Sequence, residues 1–273
     1  MRHTFQTRTG PLPVLDGLEV SVDEGGFTAV VGPSGCGKST LTRLIAGLMI
    51  PDAGEVRVHG ERITGPRSNV GMAFQNPVLL EWRTILENVL LPLEIVPTSL
   101  SKADRTARAR RLLALVGLEG FEDKRPSELS GGMRQRASLC RALIHTPEVL
   151  ILDEPFGALD AFTREDLWQI MHEVKRAEPF TGVLITHDLR EAIFLADRVV
   201  VLSGRPARTQ YVLDVPDTGP RDLDHLYTAE AAEMLNLLRH QIEIAQGRAP
   251  AEAEPSTAPT PAPPPGAAAR GMH

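Results

Sequence analysis

A glycine-rich segment, "GPSGCGKST" at residues 32–40, constrains the fold of this chain more than any other stretch. It follows the apolar run "FTAVV" and precedes "TLTRLIAGLM", whose apolar residues recur at helical spacing. A strand, a glycine-rich turn and a helix in this order match G-x-x-x-x-G-K-[ST], in which backbone N–H groups surround phosphates. Glycine permits that turn because it has no Cβ to clash with an inward-turned backbone. The segment predicts a nucleoside triphosphate site in an α/β fold.

Each residue of this segment is predicted to contribute to the nucleotide site. Lys38 would neutralise the β- and γ-phosphates, and the hydroxyl of Ser39 would ligate Mg²⁺. The dipole of the following helix favours an anion at the same place. The residues predicted to bind ATP here are Gly32, Pro33, Ser34, Gly35, Cys36, Gly37, Lys38, Ser39 and Thr40.

Further apolar runs predict the rest of the sheet. Continuous runs suit strands that helices cover on both faces: "FTAVVG" (27–32), "VGMAF" (70–74), "VLIL" (149–152), "VLIT" (183–186) and "VVVL" (199–202). Alternating runs suit half-exposed antiparallel strands: "VLDGLEVSV" (14–22) and "GEVRVHG" (54–60). The chain is therefore predicted to have an α/β core with a small antiparallel part.

The chain is predicted to consist of three consecutive segments. A main domain is predicted over residues 1–222, with a helical subdomain inserted at about 76–144. Residues 223–246 are predicted to form an amphipathic C-terminal helix. Residues 247–273 contain no Leu, Ile, Val or aromatic residue, so they are predicted to be a disordered, passive extension, although a binding function is the alternative.

Composition limits the function classes. The net charge of −6 gives no electrostatic reason to expect nucleic-acid binding. Cys36 and Cys140 lack metal-ligand spacing and are typical of free thiols in a cytosolic protein. The amino end lacks the features of a signal peptide, and no run reaches the roughly 18 apolar residues that span a bilayer. Any action at a membrane is expected to require a partner.

Polar residues follow three of the predicted strands. Asp153 ends "VLIL" at the edge where parallel sheets present ligands, so it is predicted to hold Mg²⁺ through water. Glu154 is the candidate catalytic base, with a solvated acidic turn as the alternative. His187 after "VLIT" is predicted to contact the γ-phosphate, although a lone histidine is more often structural. Gln75 after "VGMAF" is a candidate ligand of Mg²⁺ or of the attacking water.

A second glycine segment, "LSGGMRQR" (129–136), precedes another helical pattern. Ser130 fits the N-cap of that helix, whose N–H groups and dipole favour an anion. The phosphate loop, "FQ", "LSGG", "LILDEP", "ALD" and "ITHD" occur in the order found in the ATP-binding subunits of ABC transporters, and this resemblance covers roughly residues 5–215. It implies a P-loop NTPase (RecA-like) α/β core with an antiparallel β subdomain and an inserted α-helical subdomain.

The resemblance also implies an assembly and further site residues. Ser130, Gly131 and Gly132 would bind the γ-phosphate of ATP held by the other protomer of a head-to-tail homodimer, which forms two equivalent sites. Asp160 would lie at the dimer seam and couple these sites. Phe5 would stack on adenine, with an apolar anchor for the first strand as the alternative. Family members have a complete strand before that aromatic residue, so here this strand is either missing or the true start lies upstream.

The resemblance becomes narrower in three segments, at 74–95, 129–136 and 186–206, which look like subunits for the uptake of nitrate, sulfonates, taurine and pyrimidine precursors. Trp82, after Glu81, is either a permease contact or a core residue. The family implies ATP and Mg²⁺ as cofactors, and integral membrane permease subunits and an extracytoplasmic solute-binding protein as partners. It places the subunit in the cytoplasm, at the inner face of the membrane.

Three function classes remain from the sequence. The energy-coupling ATPase of an importer is favoured, for a small solute such as nitrate, sulfonate or taurine or for a pyrimidine or thiamine precursor. A non-transport ABC protein in DNA repair or translation would need long insertions, a second cassette or basic arms. A purely regulatory ATP-binding module is disfavoured because Glu154 and His187 are both present.

Overall fold

The computed structural model describes residues 1–216 and 221–248. Their strands are β1 (Arg2–Thr7), β2 (Gly10–Asp16), β3 (Phe27–Val31), β4 (Arg57–Val58), β5 (Glu61–Arg62), β6 (Val70–Phe74), β7 (Val149–Asp153), β8 (Thr181–Ile185), β9 (Arg198–Leu202) and β10 (Thr209–Asp214). Their α-helices are α1 (Lys38–Ile45), α2 (Ile85–Leu90), α3 (Pro92–Ile95), α4 (Lys102–Leu115), α5 (Gly131–Leu143), α6 (Ala161–Ala177), α7 (Leu189–Leu195) and α8 (Ala229–Ala245). Two 3₁₀ turns lie at Pro126–Glu128 and Leu223–Tyr227.

A six-stranded sheet forms the centre of the fold, in the order β10–β9–β3–β8–β7–β6. All neighbouring strands are parallel except β10, which runs antiparallel to β9. All five continuous apolar runs are strands of this sheet, as predicted. The α/β class is therefore correct, and the parallel strands bring their carboxyl ends to one edge.

Helices cover both faces of the sheet. Because neighbouring residues of a strand point to opposite sides, one strand contributes side chains to the core on each face. On β7, Leu150 and Leu152 belong to the larger core, which also contains apolar residues of α2, α4, α5, α6, α7 and α8. Ile151 belongs to the smaller core, with Leu41 and Leu44 of α1 and apolar residues of β2. No helix in the described part of the chain is long and apolar enough to cross a bilayer.

The antiparallel part is shorter than the alternating runs predicted. Within residues 14–22 the strand ends at Asp16, and within residues 54–60 only Arg57–Val58 is strand. The burial of Leu18 and the exposure of Glu19 still follow the predicted alternation. Alternation reports which side chains face a core, but a strand also needs a neighbour for its backbone hydrogen bonds. The prediction was therefore right about antiparallel pairing and wrong about the length of the strands.

β1 contains Phe5 and pairs with β2 in an antiparallel hairpin, in which Phe5 lies opposite Leu12. No pattern in the sequence predicted β10, which continues the sheet beyond β9.

The predicted domain boundaries remain predictions. Helices α2 to α5 all fall within residues 76–144. Within residues 223–246, the α-helix begins at Ala229, after the 3₁₀ turn Leu223–Tyr227. The predicted disordered extension, residues 247–273, lies outside the described residues except for its first two.

Replacement of Gly71 by Ala is expected to destabilise the fold by about 1–3 kcal/mol, because overpacking forces the backbone to shift. A Cβ at Gly71 would lie 2.3 Å from the backbone oxygen of Ala142 and 2.9 Å from Cγ of Pro147. Gly65 has open space at the same position, so Gly65→Ala is the control and should leave stability nearly unchanged. Urea unfolding measures both variants. An unchanged midpoint for Gly71→Ala would show that β6 and α5 are packed less closely than described.

Candidate functional site

The phosphate loop joins β3 to α1 and requires glycine at particular positions. Gly35 has φ 74° and Gly37 has φ 127°, which residues with a side chain rarely adopt. A Cβ at Gly37 would also lie 2.8 Å from Cγ1 of Val14. The loop is therefore held against β2, and its glycines are required by conformation and by space.

Lys38 places its ammonium group at this loop. The side chain is buried, and Nζ donates hydrogen bonds to the carbonyl oxygens of Gly32 at 2.8 Å and Pro33 at 3.0 Å. A charged group that is buried needs such partners. The loop thus holds a fixed positive charge where the sequence predicts phosphates.

An open cleft lies beside the loop at the carboxyl edge of the sheet. Ser39, Gln75, Asp153 and Glu154 line it together, with Phe74, Asn76 and Val78. These residues come from three segments that lie far apart in the chain but follow strands β3, β6 and β7 of the same sheet. The tertiary structure therefore brings together the residues predicted for Mg²⁺ and for the attacking water.

Asp153 is partly withdrawn from solvent. Burial raises the pKa of this carboxyl group, while the hydrogen bond that Thr42 Oγ1 donates to Oδ2, at 3.3 Å, acts in the opposite direction. The neighbouring Glu154 raises the pKa further by charge repulsion. A nearby cation would offset both costs.

Glu154 directly follows β7 in a strained backbone conformation, with φ 48°. Its N–H donates to the carbonyl oxygen of Ile185 at 2.9 Å, and its Oε2 lies 3.2 Å from Nδ1 of His187. A Cβ built on Gly157 would lie 3.6 Å from His187 Cε1 and 3.7 Å from Gln75 Nε2. Gln75, Glu154 and His187 therefore surround one position. Strain of this kind costs about 1–3 kcal/mol and is typical of functional sites.

The second glycine segment lies elsewhere. Ser130 is the N-cap of α5, and its Oγ accepts a hydrogen bond from the N–H of Met133 at 3.3 Å. Ser130 and Gly131 are exposed, whereas Gly132 is buried. A Cβ built on Gly132 would lie 2.5 Å from Cγ2 of Thr163. In the described residues, none of the three lines the cleft with Ser39 and Glu154. The predicted N-cap is correct, and the anion site predicted at this helix terminus stays a prediction.

Asp160 has a local role that the sequence analysis missed. It is the N-cap of α6, accepting hydrogen bonds from the N–H of Thr163 at 3.0 Å and from its hydroxyl at 2.7 Å. These bonds lower the pKa of Asp160. Arg164 links the residues before α6 to the segment that follows β8, since it donates hydrogen bonds to Leu159 O and to Asp188 Oδ2, both at 2.9 Å.

Phe5 lies in the β1–β2 hairpin, half-buried against the smaller core. Its ring meets His3 edge to face, with centroids 4.8 Å apart. In the described residues it does not line the cleft with Glu154. Its stacking on adenine, with an anchor for the strand as the alternative, stays a prediction.

The structure shows whether Cys36, Cys140 and Trp82 are buried or exposed. The structure buries Cys36 and Cys140 as free thiols, and burial raises the pKa of both. Because the Cys36 side chain points inward, only its backbone can serve the phosphate loop. Trp82 is 72% exposed, which excludes a core role.

Polar residues of α5 position the segment around Gln75. Gln135 is buried and donates from Nε2 to the carbonyl oxygen of Phe74 at 3.1 Å. Arg141 donates to the carbonyl oxygens of Pro77 and Val78 at 2.6 and 2.8 Å. These residues were missed, because a sequence pattern does not report which loop a helix face will contact.

Comparison with known proteins gives a consistent result. A family model described as ABC transporter matches residues 15–157. The bicarbonate transport ATP-binding protein of Synechocystis is 44% identical over 81% of this chain and 79% of the relative. The nitrate import ATP-binding protein of Synechococcus elongatus is 43% identical over 80% of each. The aliphatic sulfonates import ATP-binding protein of Bacillus cereus is 41% identical over 77% of this chain and 82% of the relative.

Solved structures agree. A dimeric ATP-binding cassette in a post-hydrolysis state, bound to ADP and Pi, superposes with a TM-score of 0.70 at 29% identity. The match covers 79% of this chain and 96% of that one.

Proposed function

This chain belongs to the ABC transporter family of ATP-binding domains, and from that premise we propose that it is the ATPase that powers a small-solute importer. One observation carries the proposal: a phosphate loop with a buried lysine, an adjacent acidic pair and a histidine meet at one edge of the sheet. A regulatory module that only binds nucleotide would not need the Glu154–His187 contact.

The cleft fits a magnesium ion held together with ATP. Its donors are a hydroxyl, an amide oxygen and carboxylates, the oxygen ligands that Mg²⁺ prefers. We assign Ser39, Gln75 and Asp153 to the ion, whose chemistry is to neutralise phosphate charge. Among the described residues, no group of three His, Cys, Asp or Glu could hold a metal alone. Such a site is suited to an ion that arrives with its nucleotide and retains waters.

Glu154 is the proposed base of hydrolysis. Its carboxylate takes a proton as a water oxygen forms a bond to the γ-phosphorus, and the bond from that phosphorus to the bridging oxygen of ADP breaks. His187, held at Glu154 through one ring nitrogen, has its other nitrogen available for the γ-phosphate. Gln75, which lies beside Glu154 and His187, orients the attacking water. Lys38 and the loop N–H groups stabilise the charge on the phosphates.

The working unit is proposed to be a head-to-tail homodimer. Ser130 and Gly131 are exposed at the start of α5, where backbone N–H groups and the dipole favour an anion. Since this terminus does not line its own chain's cleft, we assign it to the ATP of a second copy. Phe162 supports a partner on this face, because it is 82% exposed two residues after Asp160.

A second surface is proposed to contact the permease. Trp82, Val78 and Ile95 are all exposed, at 72%, 63% and 77%. The Trp82 segment is rigid: the buried Asn88 exchanges hydrogen bonds with Leu80, and Arg83 forms a two-point pair with Glu94 at 2.6 and 3.1 Å. A large aromatic ring presented on a rigid surface is typical of an interaction site. Its connection to α5 through Arg141 would transmit movement to Gln75.

Replacement of Trp82 by Ala is expected to weaken permease binding by about tenfold or more, as for an aromatic residue central to an interface, with ATPase activity of the isolated subunit unchanged. Tyr227 is 74% exposed and lies in another segment, so Tyr227→Ala is the matched control. Co-purification with the permease and ATP hydrolysis measure the two effects. Equal retention of the permease by both variants would exclude this surface.

The cargo is proposed to be a small oxyanion such as nitrate, bicarbonate or an organic sulfonate, because the named relatives serve these solutes. A pyrimidine or thiamine precursor is the alternative. We place the subunit at the cytoplasmic face of the membrane, with a solute-binding protein completing the system. Uptake assays in a deletion strain, with each solute in turn, test the assignment. Undiminished uptake of all of them would overturn it.

A further inference from the structure

The turn between β9 and β10 contacts the phosphate loop through one side chain. Arg205 donates two hydrogen bonds to the carbonyl oxygen of Gly35, from Nε at 3.0 Å and from Nη2 at 2.5 Å. A Cβ at Gly35 would lie 3.2 Å from the same Nη2, so the guanidinium lies against this peptide. The two residues are 170 positions apart in the chain.

Arg205 projects from a firmly held turn. The N–H of Gly204 donates to the carbonyl oxygen of Ala245 at the end of α8, at 3.1 Å. The N–H of Ala207 donates to Val14 O at 2.8 Å, and Val14 is the β2 residue that packs against Gly37. The turn is therefore held by hydrogen bonds to α8 and to β2, and these bonds fix the backbone from which the Arg205 side chain extends.

The contact has a specific consequence for the loop. Gly35 has φ 74°, and glycine allows its neighbouring peptide units to rotate more freely than any other residue does. The C=O of Gly35 and the N–H of Cys36 belong to one planar peptide unit and point in opposite directions. Fixing the carbonyl on Arg205 therefore fixes the direction of the Cys36 N–H, which donates a hydrogen bond to the carbonyl oxygen of Pro33 at 3.3 Å.

We propose that Arg205 is a positioning residue for ATP binding, which holds the Gly35–Cys36 peptide in one orientation and so orders the phosphate loop before ATP binds. The inference rests on the proposed ATPase function. An ordered loop binds phosphate more tightly because less conformational freedom is lost on binding. Arg205 acts through the backbone of the loop and needs no contact with the nucleotide.

The test compares ATP and ADP binding to the full chain. Replacement of Arg205 by Ala is expected to weaken the affinities for ATP and ADP by the same factor, about three- to tenfold, the net value of one ordinary hydrogen bond. The KM for ATP should rise by a similar factor while kcat changes less than about twofold, since a loop ordered by bound ATP performs the same chemistry. Arg205→Lys, which retains a donor, should recover part of the loss.

Arg208 supplies the matched control. It lies on the same turn, is exposed, and pairs with Asp16 rather than with the phosphate loop. Arg208→Ala should bind both nucleotides as the wild-type chain does. Urea unfolding checks that each variant is folded, and if Arg205→Ala is not, Arg205→Lys alone is compared with Arg208→Ala.

Three results would overturn the proposal. The first is unchanged nucleotide affinity in Arg205→Ala, or in Arg205→Lys if only that variant folds. The second is a loss for ATP much larger than for ADP that disappears at high salt, which indicates general attraction of charge. The third is an equal loss in Arg208→Ala. Failure of the wild-type chain to bind ATP would instead contradict the proposed function itself.

Discussion

Replacement of Glu154 by Gln is expected to lower the rate of ATP hydrolysis by about 10²- to 10⁴-fold, the usual contribution of a general base, while ATP affinity stays close to that of the wild type. The amide has nearly the same shape as the carboxylate, so the phosphate loop and Lys38 are undisturbed. It cannot accept a proton from the attacking water. Steady-state phosphate release and equilibrium ATP binding measure the two quantities separately.

Glu148 provides the control for this variant. Glu148 immediately precedes β7, whereas Glu154 immediately follows it, so the two carboxylates lie at opposite ends of this strand. The Glu148 carboxylate pairs with His59 Nε2 at 3.3 Å. Glu148→Gln should therefore hydrolyse ATP normally. Full turnover by Glu154→Gln would remove Glu154 from the catalytic role. Loss of ATP binding in that variant would mean that its carboxylate supports the nucleotide rather than the reaction.

Two inactive variants are expected to restore each other's activity when mixed. Lys38→Ala removes the charge of the phosphate loop, and Gly131→Asp places a negative charge at the start of α5. Each alone should lose about 10²-fold or more of the hydrolysis rate, as when one stabilising group of a charged transition state is removed. In a head-to-tail heterodimer, one site combines both defects and the other has none. With random pairing, the equal mixture should reach about a quarter of the wild-type rate.

Gly131 is a suitable position because a Cβ there lies 3.9 Å from Leu159 Cδ2, an ordinary contact, and an acidic residue in the first turn favours the helix. Gly132 is unsuitable, since its Cβ would lie 2.5 Å from Thr163 Cγ2. Lys38→Ala mixed with Glu154→Gln is the negative control, because both changes affect the same half of the site. No recovery with Gly131→Asp would contradict a site composed of two chains.

The sequence predicted most of the sheet. The runs that became β3, β6, β7, β8 and β9 are apolar on both faces, so any water-soluble arrangement has to cover them on both sides. Weak alternation was less informative. The run at residues 14–22 indicated burial correctly but could not indicate that pairing ends at Asp16, because pairing depends on where a second strand lies.

The sequence also identified residues whose chemistry is unusual for their position. Asp153 and Glu154 follow four apolar residues, and the glycines around Lys38 permit a conformation that other residues avoid. These signals depend only on residues that are neighbours in the chain, so they can be recognised without the tertiary structure.

The contacts between segments were decided only by the tertiary structure. It placed Glu154 against His187, Gln135 against the backbone before Gln75, and Arg205 against Gly35. It also excluded Trp82 from the core. The motifs determined by themselves which chemistry the chain can perform. The sheet order and the packing of α5 decided which of the candidate residues lie close together, because these distances arise from neighbours that the chain acquires only on folding.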